Sequence, residues 1–171
     1  MFVERISVFI FFGVSETPRF NLNFERIQMS AEPCTNVILL DSIALIDKQA
    51  AGCTVVSGSH GGASAAKFVL DIGIQPKIVF YNDAGGGKDD AGIVALSLLA
   101  GIRVPCATYA HTSARIGDAA DGYANGIVTQ VNALAAAMGV RVGDRVRDVI
   151  ATWHSGSPVT AVDSQAWRGL T

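Results

Sequence analysis

Between residues 37 and 110, short apolar runs alternate with polar, glycine-rich segments. Val37-Ile38-Leu39-Leu40 is closed by Asp41-Ser42, Cys53-Thr54-Val55-Val56 by Ser57-Gly58, and Lys77-Ile78-Val79-Phe80-Tyr81 by Asn82-Asp83. Val104 to Tyr109 is a fourth run. Runs of this length, β-branched or aromatic and bounded by turn residues, predict strands. Between them the apolar spacing changes. Ile43, Leu45 and Ile46 predict a short helix within 42–51; Ala66, Phe68, Val69 and Ile72 predict another, stopped by Gly73. Ile93 to Ala100 predicts a third, almost wholly apolar and ended by Gly101. The longest periodic pattern comes next. Ala124, Ile127, Val128, Val131, Leu134, Ala135 and Met138 recur at three and four, after Asp118 and Asp121 and before Gly139, and predict one long helix. Val142 to Ile150 predicts a last amphipathic helix with Arg145, Arg147 and Asp148 on its wet side.

The second, third and fourth runs end near Ser57, Asn82 and Ala110, spacings of 25 and then 28 residues. That is the length of a strand–helix–strand unit. Alternating β and α elements imply a parallel sheet with right-handed crossovers. The predicted fold is a three-layer α/β (αβα) domain with a mainly parallel sheet of four or five strands, like the flavodoxin and Rossmann folds in general architecture. Residues 29–151 make up this domain. Residues 1–28, rich in Phe, Asn and Arg and nearly devoid of Gly and Ala, read as an extension outside the fold, or as an added edge strand at Ile6–Phe12. Residues 152–171 lose periodicity and read as a loosely held tail, with Trp153 and Trp167 as its anchors.

Composition narrows the class. A chain of 171 residues is one domain by size. Half its residues are hydrophobic and 16% charged, against roughly 25% charged in an average soluble protein. Helices buried on several sides account for that deficit, as does a homo-oligomer that hides one face. A net charge of −2 offers no clustered basic surface, so nucleic acid is not an expected partner. No apolar stretch reaches the ~20 residues of a membrane span; the nearest is Ile6 to Val14. Cys34, Cys53 and Cys106 are odd in number and lack C-x-x-C spacing. They read as buried thiols in a reducing, cytoplasmic setting rather than as a disulfide framework or a zinc site.

The chemistry gathers where parallel strands would end together, which is where open α/β sheets bind ligands. Ser57-Gly58-Ser59-His60-Gly61-Gly62 follows the second run and precedes a helix. Ser59, Gly61 and Gly62 would bring backbone N–H groups to an anion, with His60 as general acid/base; the competing reading is a tight turn with a capping histidine. Asn82-Asp83-Ala84-Gly85-Gly86-Gly87-Lys88-Asp89-Asp90 follows the third run. Here Asp83 would orient His60, with Asn82, Gly86, Gly87 and Lys88 as substrate contacts. Alternatively Asp83 would join Asp89 or Asp90 around Mg²⁺, although those two also suit a helix N-terminus. Ser113 and Arg115 follow the fourth run, Arg115 either gripping an anionic group or pairing with Asp118 or Asp121. His111 is either a second acid/base group or an exposed loop histidine, and nothing in the sequence separates the two.

Known nucleotide motifs are not met. Gly87-Lys88 is followed by Asp89 rather than Ser or Thr, and His60 occupies the second glycine of the dinucleotide pattern. A strand ending in His60-Gly61, then a helix, then a strand ending near Asp83 resembles the order in caspase-like peptidases. The resemblance places their nucleophilic cysteine near Asp83, where this chain has none. The expected function is acid/base chemistry on a small anionic metabolite by a hydrolase, lyase or isomerase, with His60 and Asp83 as catalytic residues and no cofactor specified. The alternatives are a non-catalytic ligand-binding or oligomerisation module and a nucleotide or Mg²⁺-phosphate binding protein.

Overall fold

A computed structural model of the chain describes residues 36–153 and 159–162. The strands are β1 (Val37–Leu40), β2 (Thr54–His60), β3 (Ile78–Asn82), β4 (Cys106–Tyr109), β5 (Val128–Val131) and β6 (Val159–Val162). They form one sheet in the order β5-β4-β3-β2-β1-β6. Among the described strands β1 to β4 and β6 are parallel, and β5 runs antiparallel beside β4. Helices α1 (Ala63–Ile72), α2 (Ala95–Gly101), α3 (Ala119–Asn125), α4 (Ala133–Ala137) and α5 (Val146–Trp153) complete the fold. The mainly parallel α/β architecture is the one the sequence predicts. The tail expected from residue 152 contributes β6 as a strand beside β1. Residues 1–28 and Trp167 lie outside the described residues.

Alternation along the strands divides the interior in two. Val37, Leu39, Val56, Ile78, Phe80, Ala107 and Tyr109 face one cluster, together with Ala119, Ala135, Val146 and Ile150 from α3, α4 and α5. Leu40, Val55, Val79, Tyr81 and Cys106 face the other, with Ala65, Ala66 and Val69 of α1 and Ala95 and Leu99 of α2. Strands apolar on both faces are what a covered parallel sheet requires. Each fully buried Val, Leu, Ile or Phe contributes about 1.5–3 kcal/mol.

The two layers come from different parts of the chain. β1 to β4 are laid down side by side in one direction, and right-handed crossovers then put every connection on the same face. The 3-10 turns at Ile43–Leu45 and Lys48–Ala50, α1 and α2 occupy that face. Among the described residues, the opposite face is covered by the chain beyond β4. Residues 110–118 therefore run back across the carboxyl ends of the strands. Gly117 N–H bonds Gly58 O at 2.7 Å, and Ala119 N–H bonds Asp41 Oδ1 at 3.0 Å.

Two expectations are corrected. The long helix predicted around Ala124 to Met138 is two short helices separated by β5. Gly126 ends α3 because its backbone passes between Tyr109 and Val146, where a Cβ would lie 3.1 Å from each. The β-branched Ile127, Val128 and Thr129 then extend along β4, and Asn132 restarts helix by accepting Ala135 N–H at 3.0 Å. The helical spacing of apolar residues there is real, but strand pairing and a packed glycine override it. Cys53 is disulfide-bonded, so the reading of all the cysteines as thiols fails at that position. Cys106 is a buried free thiol. Among the described residues no helix is long and apolar enough to cross a membrane.

Gly58 is the tightest point of the crossing. A Cβ there would meet Asp118 N at 2.5 Å, Gly117 C at 2.6 Å and Asp41 O at 2.8 Å, all backbone atoms that cannot swing aside. Gly73, by contrast, ends α1 at φ 68° with open space around it. Gly58→Ala is expected to cost about 3 kcal/mol or more by overpacking, and Gly73→Ala about 1 kcal/mol of left-handed backbone strain. Urea unfolding of the two variants checks this; equal losses would remove the packing argument for the crossing.

Candidate functional site

The connections after β3 and β4 leave for opposite faces of the sheet, β3 leading to α2 and β4 to α3. Divergence of this kind between adjacent parallel strands is where α/β folds place ligands. The chain after β3 is coiled by its own side chains. Asn82 Oδ1 accepts Ala84 N–H and Asp83 Oδ1 accepts Gly85 N–H, each at 2.9 Å. The chain then passes through positive φ at Ala84 (48°), Gly85 (71°), Gly86 (78°) and Gly87 (71°). This is why Asn and Asp precede three glycines.

Asp83 pairs with His111. Its Oδ1 lies 2.9 Å from His111 Nδ1 and also accepts the His111 backbone N–H at 2.9 Å. The imidazole rests on Gly85, where a Cβ would lie 3.2 Å from ring Cε1. The carboxylate is 13% exposed and the imidazole 50%, so the acid is sheltered while the ring reaches solvent. Burial disfavours the charge on Asp83. The hydrogen bonds from Gly85, from His111 backbone and ring and from Thr129 outweigh it and hold the carboxyl below its ordinary value. An ionised carboxylate only accepts, so neutral His111 must present Nδ1–H to it and leave the Nε2 lone pair outward. Such a unit serves as a general base.

His60 is placed differently from the sequence expectation. It is the last residue of β2, opposite Asn82, and the glycine turn starts only at Gly61. Its exposed ring lies over Gly62, where a Cβ would meet Nε2 at 2.8 Å. Among the described residues it makes no side-chain hydrogen bond to Asp83, whose partner is His111. β2 and β4 lie two strand spacings apart, roughly 10 Å, so the two histidines flank the end of β3.

The other sequence candidates share the edge, and several serve the fold. Ser59 Oγ accepts Ile43 N–H at 3.0 Å. Gly61 donates to Asn82 O and accepts from Ala95 N–H, and Gly62 caps α1. Buried Asn82 donates to Ala114 O at 3.1 Å, tying the crossing segment to β3. Gly86 N–H bonds Asp83 O, and Gly86 O accepts Gly92 N–H. Gly87 precedes the 3-10 turn Lys88–Asp90, in which Lys88 is exposed and forms no ion pair among the described residues. Asp89 and Asp90 lie in that turn, at φ 54° and 57°, rather than at the start of α2. Ser113 Oγ donates to Ala110 O and accepts Ile127 N–H, latching the crossing segment to the approach of β5. Arg115, 81% exposed, lies 3.6 Å from Asp118 and 3.5 Å from Asp121. The paired reading of Arg115 is the one observed. No cluster of three metal-ligating side chains occurs among the described residues.

Other reactive groups lie elsewhere. Burial pushes the Cys106 thiol far above its ordinary range, which leaves it inert at neutral pH. A groove of about 430 Å³ lies on the α5 side, lined by Met138, Asp144, Arg145, Asp148 and Trp153 among others. It contains none of the candidate residues and lies apart from the Asp83–His111 pair. Comparison with protein-family models, curated proteins and solved structures finds no match to the chain.

The pairing of His111 with Asp83 escapes a reading that treats each loop alone. The signal for His111 is present, because the spacing of 28 residues from Asn82 to Ala110 also carries Asp83 to His111.

The depressed Asp83 titration has a definite sign. Its stabilising contribution is complete above the unfolded aspartate value of about 3.9 and disappears as pH falls through the lower folded value. Asp83→Asn keeps an acceptor but loses the charge. Its stability deficit, read by urea unfolding, is expected to be present where the carboxylate is ionised and to shrink as pH falls below about 4. Parallel wild-type and variant profiles would contradict the assignment.

Proposed function

We propose that the protein is an enzyme of acid/base chemistry on a small molecule, a hydrolase, lyase or isomerase, with His111 as the general base and Asp83 as its orienting acid. The observation that carries this reading is the 2.9 Å contact between Asp83 Oδ1 and His111 Nδ1 at the end of adjacent parallel strands. It is supported by the ring's seat on Gly85 and by the sheltering of the carboxylate. His60, across the end of β3, is the second proton-transfer group of the proposal. Lys88 would meet an anionic group on the substrate, since Arg115 is engaged by Asp118 and Asp121. The positive-φ turn from Ala84 to Gly87 would form the floor beneath the reacting group. Phe68 and Leu98, exposed on α1 and α2, are the apolar side chains that a second copy would cover in a homo-oligomer.

A thermal-shift screen of small carboxylates, phosphates, esters and lactones identifies ligands, and turnover is then followed on the compounds that stabilise the protein. His111→Ala and Asp83→Asn are expected to lower kcat by about 100-fold or more. Ligand affinity should stay within about 1 kcal/mol, the pattern of a group used in the reaction rather than in binding. Turnover indifferent to both substitutions would end the proposal. Loss of affinity with no turnover in the wild type would favour a ligand-binding module.

A further inference from the structure

The groove beside α5 joins an apolar wall to a free positive charge. Val149 and Trp153 stand one turn apart on α5, and Arg145, just before the helix, extends the same row. Met138, at the end of α4, supplies a further wall. At Gly139 and Gly143 a Cβ would meet nothing within 4 Å, so the groove stays open there. Its volume of about 430 Å³ falls in the range of small-molecule sites. The indole of Trp153 is held in place from the sheet, because Lys77 Nζ stands 5.3 Å from its ring centroid. An indole and a thioether both favour contact with an aromatic ring.

The charges along the groove differ in what they are free to do. Asp144 Oδ2 accepts Arg141 N–H at 2.8 Å, and Asp148 Oδ1 lies 3.3 Å from Arg147 Nε. Thr152 gives its hydroxyl proton to Val149 O at 2.6 Å. Arg145 is exposed and forms no ion pair among the described residues. Its planar guanidinium suits a carboxylate in two-point contact. We propose that the groove is a binding site, separate from the Asp83–His111 pair, for a carboxylate that carries an aromatic ring. The carboxylate meets Arg145, and the ring lies against Trp153 and Met138. Arg145 and Trp153 are eight residues apart, about 12 Å along a helix. The arginine side chain and a short chain on the ring span that distance together.

Titration of the ¹⁵N-labelled full chain with phenylpropanoate, followed in amide and indole proton–nitrogen spectra, locates and measures the binding. Saturable shifts are expected at Arg145, Val149 and the Trp153 indole N–H, with the residues around His111 unmoved. Phenylpropanol keeps the ring without the charge and should bind about tenfold more weakly or worse. Propionate keeps the charge without the ring and should also lose about tenfold or more. Arg145→Gln, a change at an exposed side chain, should weaken phenylpropanoate by a similar factor and leave phenylpropanol as it was. The proposal is overturned by an alcohol that binds as tightly as the acid, by an unchanged affinity in Arg145→Gln, or by no saturable shift at the groove up to the solubility limit. Shifts centred on Asp83 and His111 would overturn it too, and would support the strand-edge site instead.

Discussion

The need to bury the second face of the sheet governs the molecule. Four parallel strands laid in one direction leave Val37, Leu39, Val56, Phe80 and Tyr109 uncovered by their own connections. The apolar surface involved is too large to leave in water. The chain must therefore climb over the strand ends before it can supply α3, α4 and α5. Residues 110–118 make that passage, and unusual residues along it answer local demands of the crossing. Gly58 makes way for it, buried Asn82 grips Ala114, and Ser113 latches it toward β5. Tyr109 sends its hydroxyl beneath β3 to Ser57 O at 2.8 Å.

The same passage creates the chemistry. His111 is carried over the end of β3 because it stands at the start of the crossing, where the β3 and β4 connections part. A histidine exposed to solvent gains direction only from a partner that is itself fixed. Asp83 is fixed by the turn it forms and by the backbone of His111. Scaffold and site thus share hydrogen bonds. Asn82 shows this in one residue, since its amide holds the crossing while its carbonyl shapes the turn after β3.

Much of the fold is legible in the sequence because parallel strands apolar on both faces leave a dense signal. β1, β3 and α1 fall close to their predicted places, and Gly73 ends α1 in the left-handed conformation for which glycine suits. The region 119–138 is misread because its small and apolar residues satisfy a helical period. What separates α3 from α4 is a contact between Gly126 and residues far along the chain, and such contacts do not appear in a local window. The strand edge and Asp83 attract attention in the sequence, but the pairing of Asp83 with His111 does not. His60 attracts attention through its glycine neighbours, yet those glycines answer to close backbone passage and to its own ring. Asp83 meets His111 instead because strand register places their positions side by side, and register is a property of the sheet.

The division of labour between the layers also bears on how the molecule assembles. The α1 and α2 layer is built from strand–helix–strand neighbours, contacts that close short stretches of chain at little entropic cost. The α3 to α5 layer joins residues from opposite ends of the domain and requires the passage at 110–118 to be in place. The first half of the domain can thus gather locally, as it would on a chain emerging from its amino end. The contact of His111 with Asp83 spans the same 28 residues as the β3–α2–β4 unit, so it falls with the locally closing half, whereas enclosure of the second face waits on the crossing.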